Sequence, residues 1–170
     1  SMPGHLDLIK VKEGGFAGGF FAIWVPSPID AMAKQAMMNQ PCYDLPLPPA
    51  IDTGPALGVA LAQAALLHRL EATGWLHICT STSGIERTIN ASKLAAIMHM
   101  EGAEAIDRDF VNLDMFRRAG LRSLGPVWSR PNHFGYGVPF RFPSSGDIGP
   151  GLTEDGIRLV NYCDQHGVLI

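Results

Sequence analysis

From Trp75 onward, apolar runs of strand length take turns with segments of helical spacing, and this alternation constrains the fold more than any other feature. "WLHICTS" reads as strand, "SGIERTINAS" as a short helix, "LAAIMHM" as strand and "AIDRDFVNLDMFRRAG" as helix. "LRSLGPVW" is again strand, "TEDGIRLVNYCDQHG" a helix opened by the cap Thr153, and "VLI" the first residues of another strand. Strands joined by helices imply parallel pairing with right-handed crossovers, and so an α/β sheet or barrel.

The first half fits the same class. "GGFAGGFFAIWV" at Gly14–Val25 suits a strand covered on both faces, its glycines permitting close backbone approach. Pro26, Pro28 and "NQPCYDLPLPPA" interrupt regular structure, with a short helix in "IDAMAKQAMM" between them. "GPALGVALAQAALLHRLEAT", starting near Asp52, has helical apolar spacing and Gly74 behind it where a C-cap would sit. With 46% hydrophobic residues, 170 residues can bury one substantial core, so residues 1–170 are expected to form a single domain. The chain stops inside an apolar strand signal at Ile170, which reads as one part of a larger barrel.

A net charge of -3 without a basic block points away from nucleic acid, and no apolar run is long enough to span a bilayer. Cys42, Cys79 and Cys163 are odd in number and widely spaced, which argues against a disulfide framework and for a reducing, cytoplasmic setting.

In parallel α/β folds, ligands gather at the C-terminal ends of the strands, and there "KLAAIMHMEGAEAI" ends in Glu101 against Gly102. Glu101 could bind a metal or act as a base; equally it could cap the next helix or pair with Arg122 or Arg130. Glu104, one turn on, reads as a solvated helix N-terminus. His5 and Asp7 at i, i+2 would share one face of a strand and could supply two metal ligands, or form a polar surface strand. His68 and His166 read as helix histidines exposed or near a C-terminus, and His77 and His99 as hydrogen-bonded core residues of strands without a partner at ligand spacing. The long Gly- and Pro-rich segment "VWSRPNHFGYGVPFRFPSSGDIGPG" follows a strand end and reads as an active-site loop, with Trp128, Asn132 and Tyr136 as candidate substrate contacts.

"EGGFAGGFFAIWVP", "IMHMEGAEAI", "LGPVWSRPNHFGYGVPFRFPSS" and "GPGLTEDGIRLVNYCDQHGVLI" together, in this order, resemble the membrane (renal) dipeptidase family of zinc peptidases, particularly its bacterial members. The resemblance implies a (β/α)8 TIM-like barrel, here incomplete, with two Zn2+ ions at its C-terminal mouth. It implies hydrolysis of dipeptides, some members accepting a C-terminal D-residue, by a metal-activated water. Under it, Glu101 matches the catalytic, metal-bridging glutamate, and Trp24 stands where relatives place an aromatic residue near the substrate. The family's "DGHND" zinc motif is absent, and "GHLDL" resembles a later family segment, so His5 and Asp7 are not assigned to zinc. The family's next ligand, in "DLSH", would follow "GVLI", so the 170 residues supply one of five ligands and are expected to be inactive alone. Trp128 stands where renal members have a histidine. A second copy of the chain or a complementing C-terminal portion is the expected partner besides the dipeptide. The alternatives are a metal-free peptide-binding scaffold, and a different metal-dependent barrel hydrolase using His5, Asp7 and Glu101.

Overall fold

The computed structural model describes residues 7–27 and 31–170, without the side chains of 31–34. Asp7 is the N-cap of helix α1 (Leu8–Glu13), its Oδ1 accepting from the Ile9 and Lys10 amides at 3.0 and 2.9 Å. The expected surface strand is therefore replaced by a capped helix, because an Asx cap satisfies amides that an isolated strand would leave to water. His5 lies outside the described residues.

Strand β1 (Gly18–Trp24) pairs in parallel with β4 (Leu94–Glu101) from Gly18↔Ala95 to Trp24↔Glu101. A Cβ on Gly18 would collide with the Ala95 carbonyl, so the strands can approach only with glycine there. The other edge of β4 is shared. β3 (Leu76–Ile78) pairs with Leu94–Ala96, and β5 (Leu121–Gly125) with Met98–Glu101. Leu169 extends the order past β5, bridging Ser123 in parallel and exchanging backbone hydrogen bonds with Arg122 and Leu124. All these pairings are parallel, and among the described residues the barrel is not closed.

Helix α3 (Thr53–Ala72) lies against this sheet through Ala56, Ala60, Ala64 and Leu67, a stripe one helical turn apart whose small side chains allow close packing. Its Gln63 amide also acts as a surrogate strand. Oε1 accepts from the Trp24 amide at 2.8 Å and Nε2 donates to the Trp24 carbonyl at 2.7 Å, so the outer edge of β1 ends satisfied. Helices α4 (Thr82–Asn90) and α6 (Glu154–Gln165) open on the caps Ser81 and Thr153, the latter as the sequence implies.

α5 spans only Val111–Arg118. The expected helix from Ala105 is delayed because Phe110 is left-handed at φ 62 and Asp107 accepts from the amides of Val111 and Asn112. The proline-rich segment after α2 (Ala31–Met38) contains β2 (Tyr43–Leu45), and the long loop after β5 contains β6 (Phe140–Phe142). The two form an antiparallel ribbon with an Arg141–Asp44 ion pair at 2.7 Å.

Parity along the strands sorts the sheet into two faces. Met98 and Met100 are fully buried with Ile23, Leu113, Phe116, Leu124, Leu159 and Cys163 in the helix-facing core. Ile97, His99 and Glu101 alternate with them and are only partly buried, as are Phe20, Ala22 and Trp24 beside them on β1 or more exposed still. This second face is the one turned toward a barrel interior.

Candidate active site

Glu101 is the last residue of β4 and stands between Trp24 on β1 and Gly125 on β5. Its side chain remains 38% exposed. Gly102 behind it sits at φ 85, turning the chain away so that the carboxylate keeps facing the open end of the sheet. Glu101 pairs with neither Arg122 nor Arg130. Its partner is His99, whose Nε2 lies 3.0 Å from Oε2, while Oε1 has no hydrogen bond among the described residues. His99 Nδ1 in turn meets the Ser123 hydroxyl at 2.9 Å. The expectation that His99 has no partner at ligand spacing thus gives way: residues i and i+2 of one strand share a face, and His99 and Glu101 are such a pair.

Arg122 is used elsewhere, donating to the carbonyls of Thr80, Arg117 and Leu121. Arg130 lies fully buried beside Glu104, Nε to Oε1 at 3.0 Å, and both side chains are 0% exposed. The guanidinium also donates to Ser27 Oγ at 2.7 Å and the Val25 carbonyl at 2.8 Å. This corrects the solvated Glu104. The turn at Gly102 folds its side chain inward, where a buried guanidinium from the later loop meets it. The pair ties the segment after β1, the segment after β4 and the loop after β5 into one rim.

An aromatic wall stands on that rim. Trp24 meets Trp128 edge-on with centroids 5.1 Å apart, and Trp128 meets Phe140 of β6 at 5.6 Å. Trp24 Nε1 is buried without a hydrogen-bond partner among the described residues. Asn132 holds the loop itself, donating to the Pro126 carbonyl and accepting from the Phe134 amide, both at 2.8 Å. Tyr136 is exposed. No hydrogen bond joins Asn132 or Tyr136 to Glu101.

His68, His77 and His166 lie apart from this group. His77 is an exposed residue paired with Glu71 at 2.7 Å, not a core one, and His68 reaches the Ala119 carbonyl at 2.9 Å. His166 sits at the C-cap of α6 and stacks on Tyr162.

Whether these residues suit a metal can be judged from the donors. A carboxylate with one oxygen braced and the other open, at the C-terminal end of a parallel strand, is a suitable oxygen ligand for a divalent ion. Among the described residues, however, no group of three or more His, Cys, Asp or Glu could hold one. Among the described residues the candidate ligand is Glu101, with His99 as its support. No helix among the described residues is long and apolar enough to cross a membrane.

Comparison with solved structures finds a metallo peptidase from Rhodobacter sphaeroides liganded with a phosphinate mimic of the dipeptide L-Ala-D-Ala, 51% identical with a TM-score of 0.94. The match covers 99% of this chain and 49% of that one. A second structure, the dipeptidase AC, a metallo peptidase, is also 51% identical, at a TM-score of 0.93 over 99% of this chain and 48% of its own. An uncharacterized protein of Acinetobacter calcoaceticus from the PQQ-III 3′ region is 38% identical over 99% of this chain and 53% of its own length. The chain thus spans about half the length of these relatives. The family model described as Membrane dipeptidase (Peptidase family M19) matches residues 1–170, and the chain belongs to that family.

Proposed function

We propose that the protein is a zinc-dependent dipeptidase and that Glu101 would be one of the residues holding two zinc ions at the mouth of its barrel. The observation that carries this reading is the carboxylate of Glu101, partly exposed and braced on one oxygen, at the C-terminal end of β4 in a chain that superposes at a TM-score of 0.94 on a peptidase holding a dipeptide mimic. The tetrahedral phosphorus of a phosphinate has the shape of an amide carbon under attack by water, which favours hydrolysis over binding alone. The metals, when bound, supply a water of lowered pKa and polarise the scissile carbonyl.

The chain's own residues have separate tasks. Glu101 presents its open oxygen to the ions and offsets their charge. The Trp24, Trp128 and Phe140 rings form one wall, which packs against a substrate side chain and keeps water from that side. Tyr136 and Asn132, on the same loop, are the candidates for the dipeptide's polar ends; Asn132 reaches a substrate only by giving up one of its two bonds to the loop backbone. The L-Ala-D-Ala mimic in the relative makes dipeptides with a C-terminal D-residue the first substrates to try.

The reading that used His5, Asp7 and Glu101 as ligands loses its footing, because it required Asp7 on a strand and Asp7 caps α1. The test is hydrolysis of L,L and L,D dipeptides by the full-length protein, before and after chelation and after adding zinc back. Turnover lost with the chelator and restored by zinc is the expected result. Peptide binding by protein that takes up no zinc and turns nothing over would favour the metal-free peptide-binding scaffold.

A further inference from the structure

The brace behind Glu101 is built more carefully than a surface contact requires. His99 is 17% exposed in its side chain and Ser123 is 5% exposed, and the two face each other as register partners across β4 and β5. That register exists only because of an irregularity between Met98 and His99. Met98 pairs with Leu121 and His99 with Ser123, so Arg122 is passed over and the Ser123 hydroxyl comes opposite the imidazole. Phe20 stands edge-on to the ring with centroids 6.0 Å apart, limiting its rotation from the β1 side.

The chemistry of the three groups fixes the direction of both bonds. A carboxylate only accepts, so the nitrogen 3.0 Å from Glu101 Oε2 must carry the proton. In a neutral ring Nδ1 is then bare and accepts from Ser123 Oγ–H, 2.9 Å away. The hydroxyl therefore selects the tautomer and the imidazole selects the carboxylate rotamer. Of the two oxygens of Glu101, one is held and the other is left to face the open end of the sheet.

We propose that His99, oriented by Ser123, is a positioning residue that holds Glu101 in its ligand conformation before any metal arrives. This rests on the reading of Glu101 as a metal ligand. Without the brace, a carboxylate that is 38% exposed would sample several rotamers and lose that freedom on binding, which weakens affinity. The effect appears in metal binding itself, because His99 acts on the ligand and not on the substrate.

The test compares wild type with His99→Leu, His99→Gln and Ser123→Ala in the full-length protein, reading the zinc dissociation constant by competition with a chromophoric chelator. Thermal unfolding of each variant confirms that it folds. His99→Leu should weaken zinc binding by about 10- to 100-fold, the range for lost outer-shell support. His99→Gln, whose amide can still donate to Oε2, should recover most of it, and Ser123→Ala should cost a few-fold. Nitrogen-15 NMR of the imidazoles gives a metal-free check, expected to show His99 protonated on Nε2. Equal affinity in His99→Leu and wild type, equal loss in the leucine and glutamine variants, or a proton on Nδ1 alone would overturn the inference. If His99→Leu fails to fold, the graded losses in His99→Gln and Ser123→Ala decide it. Wild-type protein that binds no zinc would overturn the functional reading and this one with it, whereas normal wild-type binding unaffected by His99→Leu would overturn this one alone.

Discussion

Replacing Arg130 by methionine should be among the most damaging single changes on the rim of the site, and the damage should be partly repairable. Arg130 and Glu104 are both 0% exposed, and the guanidinium serves Glu104 Oε1, Ser27 Oγ and the Val25 carbonyl together. A methionine side chain would roughly fill the volume but leave a carboxylate buried without a countercharge, and breaking such a pair from one side costs about 3–5 kcal/mol. In urea, with a slope of about 2 kcal/mol/M, the midpoint should fall by about 1.5–2.5 M. Arg130→Met combined with Glu104→Leu removes both charges and should regain about 1–3 kcal/mol, the remainder reflecting Ser27 and Val25 left without a donor. Equilibrium urea unfolding followed by tryptophan fluorescence and by circular dichroism together measures the midpoints of wild type, Arg130→Met, Glu104→Leu and the double variant. A shift below about 0.5 M for Arg130→Met, or a double variant whose loss is the sum of the single ones, would refute the reasoning.

Three further predictions concern other positions. Gly102→Ala places a Cβ 2.5 Å from Glu104 Oε2 at a φ of 85, so it should destabilise the chain by about 2–4 kcal/mol from backbone strain and the forced shift of a locked carboxylate, read as a drop in urea midpoint; a variant as stable as wild type would contradict it. Burial pushes the Cys163 thiol up to about 11. Its raised folded-state value means that the stability tied to the neutral thiol is intact below about pH 9 and is lost as pH climbs toward 11, at most about 2–3 kcal/mol. Cys163→Ala should flatten that part of the alkaline stability curve, and an unchanged curve would count against the burial argument. At neutral pH a thiol reagent should modify exposed Cys42 at once and reach Cys79 and Cys163 only on unfolding.

The parallel α/β framework was readable because β1, β4 and β5 and the helices between them bury continuous apolar runs whose length and period survive in the sequence. The ribbon was not. β2 and β6 have three residues each, too few to show a period, and they pair across about a hundred residues of chain. Asp7 misled because "HLDLIKV" alternates like a strand, while the cap that makes α1 depends on a single side chain. Glu104 misled for another reason. A helix-dipole argument is local, and its actual partner, Arg130, arrives from 26 residues away.

Within the site, the position of Glu101 at a strand end was legible from "MEG" alone, since a strand run closing on Glu–Gly presents a charge where ligands gather. The neighbouring histidine was legible too. The spacing rule applied to His5 and Asp7 holds equally for His99 and Glu101, two residues apart on β4. Ser123 could not be found this way, because only the irregular register of β4 and β5 brings it opposite His99. The aromatic wall was half visible: Trp24 and Trp128 stand out in the sequence, but their mutual contact and the addition of Phe140 are consequences of the ribbon.

If the carboxylate of Glu101 is a metal ligand, turnover depends on it. Glu101→Gln in the full-length protein keeps the shape and removes the charge, and metal content by elemental analysis with dipeptide hydrolysis on the same preparation tests the claim most directly. Bound zinc should fall below the wild-type content and turnover should be abolished while the fold, by circular dichroism, is unchanged. Wild-type zinc content with near-normal dipeptide turnover in that variant would contradict it.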